Sequence, residues 1–392
     1  MNILKKELDS NKLIYNMGII LYVFGLLIKT STYSLDSKYI KIIEIMQIMG
    51  LLLLSLKILL DVTREKFSLK KMLIIFFLLI CMFLTYIRTD DYATTVNLII
   101  LLIASHNMNF KKTIKIIFYV ELLGFIFILL SCKVHIIEDY IINRETETNL
   151  NRHALGFIHP NILMLTFFSI VVMFLYIKKE KINMLYVLVL TIINLILYRY
   201  TDSRMGTFIT EFAIICFYFV KMNKTKDIFW KFKSIIPYIV IIFAVLSVIL
   251  TIAYDKVNLE KINEFSSNRL ELQFRAWNEY GITLFGQKIE WVGQGITNKK
   301  LIWKDYNYVD NSYVKAIVNY GVIFFVIIMY GEYYVLKKSC ESRDVYTCIA
   351  VLLVGIYSIT DVSLLRVLYN PYIILMFPVL NFFSTNKEEL VI

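Results

Sequence analysis

Apolar runs long enough to cross a bilayer recur along almost the whole chain, and that repetition restricts the fold more than any motif does. A hydrocarbon core of ~30 Å takes roughly 20 apolar residues per helix. Helices are the natural spanning unit, because each satisfies its own backbone hydrogen bonds in lipid. The alternating pattern of an outer-membrane barrel, with about ten residues per strand, is absent. Hydrophobic residues make up 58% of the 392, against about 45–50% in a soluble globular protein. Only 13 Gly and 4 Pro interrupt the runs.

The spacing predicts spans near residues 13–30, 42–60, 72–88, 94–106, 114–132, 157–177, 184–198, 206–222, 234–253, 313–336, 345–360 and 371–383. The expected fold is all-α: a polytopic membrane protein of about 12 transmembrane helices in a single domain over residues 1–392. The fourth and twelfth segments are short, as tilted or re-entrant segments are. Two connections, 133–159 and 254–312, are too polar to span and too long for turns. Within the second, LELQFRAWNEYGI has amphipathic helical spacing, which suits a surface helix or a small cap over the bundle. The N-terminus lacks a signal-peptide cleavage pattern, so the first helix is expected to act as an uncleaved anchor.

Charge gives the orientation. The net charge of +11 comes mainly from Lys in every second connection: DVTREKFSLKK, NMNFKKTIK, KKEKIN, KMNKTKDIFWKFK and KKSCESRD. The positive-inside rule places these, and both termini, in the cytoplasm, and the two long loops on the opposite face. Richness in Lys, Ile and Asn suggests an AT-rich bacterial genome, and the expected location is a bacterial plasma or inner membrane. No aromatic-interleaved basic patch marks a nucleic-acid partner. The five Cys are scattered without CxxC spacing, so neither a zinc site nor a disulfide framework is indicated.

Arginine departs from this pattern. Apart from Arg64 and Arg343, the arginines fall on the outer side: Arg88, Arg144, Arg152, Arg199, Arg204, Arg269, Arg275 and Arg366. Guanidinium is planar, always charged, and grips phosphate or carboxylate with two parallel hydrogen bonds. Arg88 and Arg144 read as ordinary surface residues. The other six suggest recognition of an oxyanion near the outer face, unless they pair with carboxylates such as Asp202, Glu271, Glu279 and Asp361.

Four segments carry the candidates. NRHALGFIHPN puts Arg152, His153, His159 and Asn161 at the start of the sixth span, with His159 either an acid–base group or a helix cap. Two His without a nearby acid or Cys at ligand spacing make no metal site. YRYTDSRMGTF flanks Asp202 with Arg199 and Arg204, and Ser203 is a candidate cap. NRLELQFRAWNEYGI carries Arg269 and Arg275, which do not share a helical face; Gly293 and Gly295 beyond it read as turn formers. DYNYVDNSYVKAIVNYG offers Asp305 and Asp310 as acids; Asp310, Asn311 and Tyr313 stand where the loop returns to the bilayer, as cap or as proton acceptor. Asp361 and Arg366 on the last outer loop are expected to close the same pocket.

An Arg-bearing outer loop, a short SRxG turn, a large late loop with arginines and a (D/H)NxY element, in this order, resemble the Wzy-type polysaccharide polymerases, relatives of the O-antigen ligases. The resemblance covers the full chain in topology. In sequence it rests on Arg152 to Asn161, Ser203 to Gly206, Arg269 to Gly295 and Asp310 to Gly321. It implies glycosyl transfer outside the cytoplasm, without metal or cofactor, from a glycan on undecaprenyl diphosphate to a lipid-linked repeat unit, as in capsule or O-antigen biosynthesis. Flippase and chain-length regulator proteins are the partners it suggests.

Carried over residue by residue, Arg204 and Arg269 hold the leaving diphosphate, followed by Arg275 and Arg152, and Asp310 is the candidate base. Arg199, Arg366, His159, Asn311 and Tyr313 complete the substrate contacts. The ligase branch often has His where this chain has Asp310, which tilts the reading to polymerase. Transfer to a different acceptor, as by a ligase, and a lipid-linked oligosaccharide flippase or transporter stay as alternatives. A flippase would carry charges deep in its spans, whereas here they cluster on one side.

Overall fold

A computed structural model describes residues 2–64, 69–143, 151–293 and 306–381. Arg144, Gly295 and Asp305 lie outside the described residues. The helices are α1 (Asn2–Lys29), α2 (Ser37–Arg64), α3 (Leu69–Thr89), α4 (Val96–Ala104), α5 (Phe110–Lys133), α6 (Pro160–Lys178), α7 (Met184–Thr201), α8 (Arg204–Val220), α9 (Asn223–Lys231), α10 (Ile239–Ala253), α11 (Glu260–Phe265), α12 (Arg269–Tyr280), α13 (Ser312–Lys315), α14 (Gly321–Glu341) and α15 (Val345–Tyr357). A π-helical turn, Ala316–Tyr320, joins α13 to α14, and a 3-10 helix, Pro371–Asn381, follows α15.

Among the described residues, seven helices are long and apolar enough to cross a membrane, or eight if α8 and α9, which meet at 105°, form one broken span. The expected twelve are therefore not all present as full-length helices. The nine residues of α4 reach only about 14 Å. The 13 of α15 and the apolar stretch Ile75–Thr89 of α3 are also short. The last segment, Pro371–Asn381, is a 3-10 helix, not an α-helix. Apolarity alone did not distinguish full-length helices from shorter ones.

The all-α expectation needs one amendment. In the first long loop, β1 (Ile141–Asn143) pairs antiparallel with β2 (Asn151–His153), Ile142 opposite Arg152.

Burial separates two kinds of helix. Every side chain from Leu163 to Met173 of α6 is buried, so α6 runs through the centre. Leu52, Leu123, Leu185 and Phe208, on α2, α5, α7 and α8, are exposed. So large a bare apolar surface suits contact with lipid.

Contacts sort the connections into two ends. At one end, Thr32 N donates to Gly156 O, Arg152 reaches Thr201 O, and Arg269 reaches Thr360 O. At the other, Lys179 pairs with Asp344, Lys226 with Glu180, and Lys221 donates to Ile182 O. The Lys-rich connections after α6, α8 and α14 thus gather opposite the two long loops.

Candidate functional site

The site is assembled from the second long loop, α13 and the connection after α15. The amphipathic segment is a helix, as its spacing predicts: α12 buries Leu270, Leu272 and Ala276, and its Gln273 accepts from Thr251 of α10. The chain then turns through Gly286, which packs against Gly321. Both have positive φ, and a Cβ on Gly321 would come within 2.3 Å of Gly286 N. Backbone bonds from Val322 to Thr283 O and from Ile323 to Leu284 O fix this crossing.

Asn311 settles the capping question at α13. Its side chain accepts from Tyr313 N (2.9 Å) and Val314 N (3.1 Å), so Asn311 is the cap and Asp310 is left for other contacts. Ser312 donates to Asp361 O and accepts from Ser363 N and Leu364 N. Tyr313 is fully buried and its hydroxyl donates to Gly355 O at 2.8 Å, tying α13 to α15.

Arg269, the first residue of α12, stands 2.9 Å from Asp310 through Nε and donates through Nη1 to Thr360 O. Asp361 lies in the same electrostatic cluster. Burial first, and the Asp310 charge second, push its carboxyl up to about 6, against the opposing pull of Arg269, the Val362 N–H and Arg366. Arginine–carboxylate pairing was the alternative weighed for these residues, and for Arg269 it holds, with Asp310 as the partner.

Beside this cluster is a cavity of about 260 Å³ lined by Asp91, Trp291, Tyr308, Lys315, Asn319 and Arg366, among others. Lys315 is buried with its ammonium 3.9 Å from the Tyr308 ring centroid and 4.9 Å from that of Trp291. Among the described residues its ammonium forms no hydrogen bond or ion pair. The Arg366 guanidinium likewise has neither among the described residues, although Tyr308, Tyr369, Tyr320 and Asp361 lie within electrostatic range. Its side chain is exposed and lines the cavity. Asp91, the acidic lining residue, is engaged elsewhere: it accepts from Tyr320 Oη at 2.7 Å and from Thr94. The cavity therefore has two cations free of carboxylate contact, the arrangement an oxyanion needs.

The first long loop supplies a second node. Arg152 is buried and donates to Thr201 O and to Asn161 Oδ1, which also accepts from Ser203 Oγ. Ser203 stands at the α8 N-cap position, but its hydroxyl serves Asn161 and does not cap. His159 is the helix cap its sequence context allowed, accepting from Asn161 N at 3.1 Å. Burial, then the charges of Arg152 and Arg269, lower it to about 3, so it is neutral at physiological pH. His153 pairs with Asp139 at 2.6 Å.

The remaining candidates stand apart. Arg204 is 71% exposed and 3.9 Å from Asp202. Arg199 is exposed, Arg275 half-buried, and neither has a polar partner among the described residues. Sequence reasoning missed Lys315, Trp291, Tyr308 and Asp91. The available signal was Lys315, a cation just inside an apolar segment. Among the described residues, no group of three or more His, Cys, Asp or Glu is placed to hold a metal.

These features define a helical protein with several apolar helices suited to a membrane and a cationic cavity at one end. Compared with protein families, curated proteins and solved structures, the chain matches none.

Proposed function

We propose that the protein is a membrane polysaccharide polymerase that transfers a growing glycan from undecaprenyl diphosphate to a lipid-linked repeat unit on the extracytoplasmic face of a bacterial plasma membrane. In this reading both termini are cytoplasmic, the shorter apolar segments complete a set of about twelve crossings, and the protein works beside a flippase and a chain-length regulator. One observation carries the reading: Arg366 and Lys315 share a cavity with no carboxylate bound to either, beside the Arg269–Asp310 pair and Asp361.

The chemistry follows from that placement. Arg366 and Lys315 hold the donor diphosphate. Asp310 keeps Arg269 in position, and Asp361, the carboxyl with the raised proton affinity, is the base. The acceptor hydroxyl gives its proton to Asp361 as its oxygen bonds to the anomeric carbon. The bond from that carbon to the diphosphate oxygen breaks, and its electron pair leaves with the diphosphate, whose charge the two cations offset. Asp361 then returns the proton to water. Arg199, Arg204 and Arg275 are left for the lipid and glycan, while the buried Arg152 braces the first long loop through Thr201 O and Asn161.

Deleting the gene and weighing the lipid-linked glycans tests this. Accumulation of single repeat units with loss of long polymer is expected. Long lipid-linked chains that fail to reach their acceptor would indicate a ligase, and repeat units trapped on the inner leaflet a flippase.

A further inference from the structure

The bundle interior holds a file of buried polar groups that no described residue satisfies. Glu121 lies at the midpoint of α5, is fully buried, and has no hydrogen-bond partner on either carboxyl oxygen. Ser169, midway along α6, adjoins it without reaching hydrogen-bond geometry. Other helix hydroxyls here, such as those of Thr85, Thr166 and Thr210, turn back to the carbonyl one turn earlier. The Ser169 hydroxyl does not.

The file continues in both directions. Tyr369 is within electrostatic range of Glu121 and also of Asp361 and Arg366 at the cavity end. Tyr372 is within range of Glu121 and packs edge-on against Tyr176, ring centroids 5.6 Å apart. Tyr372 and Tyr176 both lie within range of Asp344 at the opposite end, which pairs with Lys179. All three tyrosines are buried, and none of their hydroxyls reaches hydrogen-bond geometry, that of Tyr176 adjoining Thr347. Three elements flank α5 here. The segment beginning at Pro371 brings Tyr372, with Tyr369 just ahead of it, and α6 brings Ser169. From α1, Phe24 and Leu27 lie against Gly124, and the buried Tyr15, its hydroxyl also unpaired, adjoins Thr113 of α5.

Unpaired buried polar atoms are costly singly, and a file of them joining the two ends of a bundle is costlier still, unless water bridges them. A carboxyl at the centre of a membrane bundle is by default a functional group. We propose that this file is a proton path across the membrane, with water as the bridging ligand and Glu121 as the group that takes up and returns the proton at its middle. Each hop breaks one O–H bond as the next oxygen forms one, and rotation of the waters and hydroxyls resets the chain. Nothing is oxidised or reduced, and the inference is independent of the transferase reading.

The test uses the full chain in phosphatidylcholine–phosphatidylglycerol vesicles with a trapped pH dye. A potassium gradient with valinomycin supplies the driving potential. Proton uptake above that of protein-free vesicles is expected. Glu121→Gln lowers it about tenfold. Glu211→Gln leaves it unchanged, because that carboxyl already accepts from Thr191 and Asn194. Uptake by the natural protein equal to that of protein-free vesicles overturns the proposal, as does full uptake by a well-folded Glu121→Gln. Where Glu121→Gln fails to fold, Tyr372→Phe decides: slowed uptake supports the path and unchanged uptake overturns it.

Discussion

Arg269 stands 2.9 Å from the Asp310 carboxylate while its other nitrogen donates to the Thr360 carbonyl at 2.6 Å. One guanidinium thus fastens the start of α12, the approach to α13 and the connection after α15. Both side chains of the pair are less than one-fifth exposed, so water screens them only partly.

Arg269→Ala leaves Asp310 and Asp361 together without their shared cation. The thermal midpoint in detergent is expected to fall, by an equivalent of about 2 kcal/mol after allowance for the residual exposure. Asp310→Asn in the same background restores part of the loss, with a coupling of about 1–2 kcal/mol in a double-mutant cycle. Strict additivity of the two changes would show that the pair contributes nothing.

Asp361 sets a pH dependence. Its folded-state pKa, about 6, lies above the usual 3.8, so the folded protein binds this proton more tightly than the unfolded chain does. Its contribution to stability is present below the lower value, is lost as pH rises through the higher one, and stays lost above it. A base must be ionised, so transfer to a lipid-linked acceptor is expected to rise through about pH 6. Asp361→Asn removes that limb together with most of the rate; an unaltered limb assigns it to another group.

The two cavity cations offer a sharper contrast. Arg366→Ala and Lys315→Met are each expected to lower transfer about 100-fold, the loss typical of removing one donor to a developing anion. Arg88→Ala, at an exposed residue, changes it by less than about twofold. Equal losses in all three variants would point to general damage at this end of the bundle.

Asn311 and Tyr313 separate structure from chemistry within four residues. Asn311→Ala removes an N-cap and is expected to cost about 1 kcal/mol. Tyr313→Phe removes the bond to Gly355 O, also about 1 kcal/mol, with transfer little changed because the hydroxyl is fully buried. Loss of transfer in a stable Tyr313→Phe protein would assign that hydroxyl a direct role.

Much of the site could be anticipated residue by residue, but not as a set. Arg269 and Asp310 were both picked out, one as a diphosphate ligand and the other as a base, and their pairing was not, because 41 positions and a long loop separate them. His159 as a cap was legible from Pro160 beside it. Ser203 as a cap was not borne out, because Asn161 competes for its hydroxyl from another helix. The expectation that charge clusters on one side overlooked Glu121, the one acid of α5, whose burial depends on how that helix packs.

By itself the sequence determined the helices, the Lys-rich connections and the polar loops between them, because hydropathy and charge act through solvent and need no knowledge of neighbours. The tertiary structure alone decided which apolar runs became full-length helices, which arginine met a carboxylate and which stayed free in a cavity. Those outcomes depend on distances between residues far apart in the chain, and close packing, not composition, sets such distances.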